Sequence, residues 1–182
     1  MTNLRGQLLV ATSVIEGEPF FRSVIYLLDS DEHGAVGIIL NYPLDPNIDE
    51  LFPQWSESVD RPGTLYLGGP VDTQSAMAVG IAREGTTPAG WQSANGRIGI
   101  VDLDGPVPSF GDFACLRLYA GYAGWSAGQL EAEIAEGSWL VVPALESDLQ
   151  HADTSSLWRE VLARQTGDTR FWATLPDQLA DN

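Results

Sequence analysis

Short apolar runs, set apart by clusters of polar residues, glycine and proline, dominate the first half of the chain. Leu8-Leu9-Val10-Ala11, Val24 to Leu28 and Val36 to Leu40 place apolar residues at consecutive rather than alternating positions. That pattern predicts strands covered on both faces. Asp29-Ser30-Asp31-Glu32-His33-Gly34, between the second and third runs, predicts a hairpin turn. Ile48 to Phe52 predicts a short helix that Pro53 ends. Thr64 to Leu67 predicts a strand leading into Gly68-Gly69-Pro70-Val71, and Ala76 to Ala82, Arg97 to Leu103, Phe113 to Tyr119 and Trp139 to Val142 predict others. Arg83 to Asn95 has little periodicity and reads as a surface loop.

Two helices are predicted in the second half. Ser126-Ala127-Gly128-Gln129 fits a capping box, in which the Ser126 hydroxyl accepts from the Gln129 amide and the Gln129 side chain reaches back. Leu130 and Ile134 then supply an apolar stripe, and Gly137 suits the position just past the helix end. The second helix runs from about Ser155 to Gln165, with Asp153 or Thr154 as cap, Leu157, Val161 and Leu162 on one face, and Gly167 as the stop. Strands and helices together predict one α+β domain over 1–182.

Composition fits that reading. A chain of 182 residues with 44% hydrophobic content is long enough for a core, and its 19 Gly and 11 Pro agree with many turns. Charge narrows the partners. Nine basic residues, all Arg, against 25 acidic ones leave −16. Such a surface repels phosphate, so neither direct nucleic-acid binding nor docking on an anionic membrane is expected. Arg159, Arg164 and Arg170 could still make a local basic patch. Met1 to Gln7 contains no apolar stretch of signal-peptide length, and no apolar run approaches a membrane span; the expected location is the cytoplasm.

Candidate chemistry is sparse. Asp29 to Gly34 begins like a calcium loop, but position 12 falls on Leu40, where a bidentate Glu is required. His33 and His151 are too few to define zinc without carboxylate help, so no metal and no cofactor are expected. Cys115 is the single cysteine, so no intrachain disulfide can form, and within Phe113-Ala114-Cys115-Leu116 it reads as a small buried hydrophobe. Arg117 shares its strand face and could activate the thiol. Gly68-Gly69-Pro70-Val71 and Gly121-Tyr122-Ala123-Gly124-Trp125 read as glycine loops, the latter joining a strand to the helix at Ser126. Such loops can offer amides to an anion or simply make tight turns, and neither matches a phosphate-loop pattern. Trp125 is the one of six tryptophans placed for a ligand contact.

Taken together, Phe20-Phe21-Arg22-Ser23-Val24, Gly34 to Pro43, Gly68-Gly69-Pro70-Val71, and Gly121 to Trp125 followed by Gly128-Gln129-Leu130-Glu131 resemble the bacterial YqgE/AlgH family over roughly residues 4 to 145. The tail around Leu157-Trp158-Arg159 and Phe171-Trp172 is similar to that of actinobacterial members. The resemblance implies curved or bifurcated sheets flanked by helices and no established enzyme activity. It also carries a transcriptional-regulator label without a DNA-binding motif. The chain has Asp29-Ser30 where relatives often have Glu-His, so no His-dependent chemistry carries over.

The resulting expectation is a non-catalytic binding or regulatory protein for a small molecule or a protein partner. Its ligand-binding residues would be Arg22, Ser23, Asn41, Gly68, Gly69, Pro70, Gly121, Tyr122, Trp125 and Gln129, gathered in one cleft. Arg22 would act as forked donor, Asn41 as orienting group and Trp125 as apolar wall. Alternatively, Arg22 and Asn41 satisfy buried backbone groups. The rival is a hydrolase or transferase using Asp29 or Glu131 as base.

Overall fold

In the computed structural model, which describes residues 3–174, the consecutive apolar runs are indeed strands enclosed on both faces. β1 (Gln7–Ala11), β2 (Val24–Asp31) and β3 (Gly34–Ile39) form an antiparallel series, and β10 (Trp139–Pro143) pairs with the outer edge of β1. Leu8, Val10, Tyr26 and Ile38 enter one core, whereas Leu9, Ile25, Leu27 and Ile39 enter another on the opposite face. Each such burial contributes about 1.5–3 kcal/mol, which explains why alternation is absent from these runs.

β9 (Phe113–Ser126) links the two halves of a ten-stranded sheet. Its last four residues pair with β3, while Leu118 to Ala120 pair in parallel with β5 (Thr64–Leu67) on the same edge. Its other edge pairs with β6 (Val71–Ala82), followed outward by β8 (Ile98–Val101) and β7 (Trp91–Asn95). The sheet therefore forks where β3 leaves β9 and β5 joins it. Gly68 sits in the fork: its amide donates to Ala120 O and its carbonyl accepts from Ile39 N–H, both at 2.8 Å. A Cβ on Gly68 would lie 2.3 Å from the Gly121 carbonyl oxygen, so only glycine fits.

Several local expectations need correction. Gly121 to Trp125 is not a loop; it continues β9, because Gly121 takes φ +64° and bends the strand without ending it. β7 lies inside the segment expected to be a loop. Trp91 and Ala94 turn inward there, and the outward Gln92, Ser93 and Asn95 hide the strand pattern. β4 (Pro43–Asn47), which pairs with β5, went unpredicted because its prolines and exposed positions lack strand character.

The helices close the faces. α1 (Ile48–Leu51) starts on Asn47, whose side chain accepts from Asp49 N–H, and a 3-10 turn over Pro53–Trp55 follows. α2 (Gln129–Ala135) forms half of the expected capping box. Gln129 Oε1 accepts from Ser126 N–H, but the Ser126 hydroxyl donates to the same oxygen instead of capping an amide, and Gly128 at φ +78° is the N-cap. At its end Ser138 N–H reaches Glu133 O and Gly137 N–H reaches Ile134 O, the paired bonds expected around a C′ glycine. α3 (Glu146–Leu149) precedes α4 (Leu157–Ala163), which is shorter than expected. From α4, Trp158, Val161 and Leu162 pack on the β1–β2–β3 core, and the Trp158 indole donates to Ala11 O at 2.9 Å. No helix among the described residues is long and apolar enough to cross a membrane.

Candidate functional site

β5 covers β9 only from Leu118 onward, leaving the edge upstream of it without a strand neighbour among the described residues. Asp60 takes that place. Its amide donates to Leu116 O at 2.8 Å and its Oδ1 accepts from Leu116 N–H at 3.1 Å. The other carboxylate oxygen accepts from the Cys115 thiol at 3.0 Å and lies 3.5 Å from Arg117 Nε. Cys115 and Arg117 share a strand face, as the spacing predicts.

Arg117 is the unusual member. Its side chain is only 8% exposed, and it is the sole β9 cation. Nη2 donates to His151 O at 3.0 Å, and the guanidinium carbon lies 5.2 Å from the Tyr66 ring centroid. Nε and Nη1, which carry three of the five guanidinium N–H bonds, are buried and find no hydrogen-bond acceptor among the described residues, the Asp60 carboxylate 3.5 Å from Nε being an ion pair only. Burial opposes the Arg117 charge, but Tyr119, Cys115, Tyr66 and Asp60 around it more than offset that and raise its pKa further. Burial pushes the Cys115 thiol well up, and Asp60 adds to the shift; burial does the same to the Tyr119 phenol. The thiol is therefore protonated and unreactive, and Asp60 outweighs the activation that Arg117 alone would give.

Asp60, Tyr66 and Arg117 line a cleft of about 540 Å³. Val59 to Pro62, Leu116, Gln150 and Ala152 complete most of its lining. Between Gln150 and Ala152 stands His151, whose ring nitrogens lie 2.8 Å from Asp153 O and 2.6 Å from Glu160 Oε2. A neighbouring hollow of about 560 Å³ beside Ser56 and Pro108 is no smaller, but its charged lining residues, Asp49, Glu57 and Arg61, are exposed. Size does not separate the two; a buried, unsatisfied cation does.

The residues singled out from sequence fall in three places. Arg22 and Asn41 line a groove of about 290 Å³ with Trp158 and Arg159. There Asn41 Oδ1 accepts from Val24 N–H at 2.8 Å and its amide donates to Arg22 O at 3.0 Å, fixing Arg22 at φ +52°. The Arg22 guanidinium lies 5.0 Å from the Trp158 ring. Ser23, next to them, is buried, and its hydroxyl has no hydrogen-bond partner among the described residues. Gly68, Gly69, Gly121 and Tyr122 meet backbone to backbone at the fork, with Pro70 exposed beside them. Trp125 and Gln129 lie on the other face of the sheet, around a hollow of about 300 Å³. Trp125 is enclosed: its indole and that of Trp139 both donate to Glu133 Oε2, at 2.9 and 2.8 Å, and Gln129 donates to Oε1. Burial alone would raise the Glu133 pKa, but the bonds from Trp139, Gln129 and Trp125 prevail and hold it low. Arg22, Asn41 and Trp125 thus do not share a cleft. Asp60, Tyr66 and Gln150 went unnoticed in the sequence; the available signal was a lone arginine inside the apolar run Cys115-Leu116-Arg117-Leu118-Tyr119.

The fold defines an α+β protein with a forked, curled sheet and flanking helices. Within that class the chain belongs to the AlgH-like family, whose match spans residues 8–170. It is 41% identical to a UPF0301 protein of Streptomyces coelicolor, over 100% of this chain and 97% of that one. A UPF0301 protein of Thermobifida fusca is also 41% identical, over 96% of this chain and 93% of that one. Among solved structures, protein DIP2367 from Corynebacterium diphtheriae superposes with a TM-score of 0.84 at 32% identity, covering 93% of this chain and 91% of the other. The AlgH protein of Pseudomonas aeruginosa superposes with a TM-score of 0.70 at 25% identity, covering 97% and 96%.

Proposed function

We propose that this is a non-catalytic binding protein that holds a small carboxylate- or phosphate-bearing ligand in the Arg117 cleft. The observation that carries the reading is the buried guanidinium, whose Nη1 has no hydrogen-bond acceptor among the described residues and whose Nε has only the Asp60 carboxylate 3.5 Å away. Buried donor N–H groups of a charged side chain that lack hydrogen bonds are costly, and an anionic acceptor would reduce that cost. Binding without turnover is supported by the neighbours: the thiol is protonated, and Asp60 accepts from Leu116 and Cys115 and forms an ion pair with Arg117. In this reading the Arg22–Asn41 groove serves the fold, because both ends of the Asn41 amide are taken by backbone. The reading places the protein in the cytoplasm, where a regulatory role would run through a protein partner rather than DNA, since −16 of net charge opposes contact with phosphate backbones.

Thermal melting in acetate, 4-methylpentanoate and inorganic phosphate, at matched ionic strength, tests this. At least one should raise the wild-type midpoint by about 5–10 °C at roughly 100 times its Kd. Arg117→Lys should lose most of that shift and Arg22→Ala none of it. A shift unchanged in Arg117→Lys, or no shift with any of the three, overturns the reading.

A further inference from the structure

We infer that the ligand is a zwitterion, an α-amino acid or close analogue, with its carboxylate on Arg117 and its ammonium on Asp60. The inference rests on the binding reading above and goes further by assigning the second charge. Asp60 Oδ2 is 3.5 Å from Arg117 Nε, so any carboxylate on this guanidinium arrives beside another carboxylate. In a cleft partly shielded from water, two such charges repel strongly unless a cation lies between them. Arg61, also on the lining of the cleft, is drawn towards Asp49, whose two carboxylate oxygens accept from its Nη1 at 3.2 and 3.1 Å.

Asp60 retains the capacity to take an ammonium. A carboxylate offers about four lone-pair sites; Leu116 N–H and the Cys115 thiol occupy two, and Arg117 Nε stands 3.5 Å from Oδ2 as an ion pair without a hydrogen bond. The Asp60 side chain is 32% exposed, so a remaining site is reachable from solvent. An α-amino acid carries its two charges on adjacent atoms of one carbon, which suits neighbouring partners of opposite sign. Val59, Pro62, Leu116 and the Tyr66 ring leave apolar room for a side chain within the 540 Å³, whereas an inorganic anion would leave most of that space unused.

Isothermal titration of the full chain with the twenty standard L-amino acids, their N-acetyl forms and the matching deaminated acids tests the inference. At least one amino acid should bind about tenfold or more tighter than both of its counterparts, and Asp60→Asn should erase that preference. A preference that survives in Asp60→Asn removes the ammonium from Asp60 and overturns the assignment. Deaminated acids that bind wild type as tightly as the amino acids, with loss in Arg117→Lys, overturn the zwitterion and leave the carboxylate cleft standing. No binding by any compound overturns this inference, and absence of a melting shift with inorganic phosphate as well overturns the binding reading beneath it. The wild-type ratio decides alone should Asp60→Asn fail to fold.

Discussion

Asp60 pairs with Leu116 as a strand residue would, donating its own amide and accepting the Leu116 amide on its side chain. One residue thereby closes the free edge of β9 and brings a carboxylate to Arg117. Asp60→Ala should cost about 2–4 kcal/mol in urea unfolding, because it orphans the Leu116 amide and leaves the Arg117 charge without a partner. Asp60→Asn keeps an acceptor at Oδ1 and should cost less than half as much. Equal losses would show that the edge bond contributes little.

Cys115 should resist alkylation. Burial and the facing Asp60 both hold the thiol protonated, and its side chain is enclosed by the core. Modification by iodoacetamide at pH 8 should be at least about 100-fold slower in folded than in urea-unfolded protein, since access requires opening. A folded-state rate close to the unfolded one contradicts the placement.

The fork predicts a contrast between two glycines. Gly68→Ala pushes a Cβ into the Gly121 carbonyl and should cost about 3 kcal/mol or more, or prevent folding. Gly85 has φ +77° but open space around it, so Gly85→Ala should cost only about 1–2 kcal/mol, the left-handed penalty alone. Comparable losses measured by urea unfolding would remove the steric argument.

Acid should weaken the Trp125–Glu133–Trp139 cluster. The folded Glu133 pKa is below its ordinary value, so its contribution is present in full above about pH 4.5 and is lost as pH falls through the lower folded value. Wild-type stability should therefore fall between about pH 5 and 3 more steeply than that of Glu133→Gln, followed by tryptophan fluorescence. Parallel curves would show that the indole bonds do not depend on the charge.

Much of the fold was legible because strands buried on both faces require consecutive apolar residues, as in Val24 to Leu28. β7 was not, since its outward polar residues erase the pattern, and Gly121 looked like a strand end because its partner, the Gly68–Gly69 backbone, is distant in sequence. The same distance hid the site. Arg117 and Cys115 could be matched by strand spacing, but Asp60 meets them across 55 or more residues, and no local signal marks it. Trp125 looked available because glycine and a helix start flank it. Its enclosure depends on Glu133, one side of α2, accepting two indoles at once.

The most direct measurement of the central claim is the Arg117 Nε–H resonance in ¹⁵N-labelled protein, assigned by its absence from the Arg117→Lys spectrum. Titration with 4-methylpentanoate should move it saturably while the Arg22 and Arg159 resonances stay in place. An Arg117 signal that does not respond, or nine arginines that drift together with salt, would contradict an anion seat in this cleft.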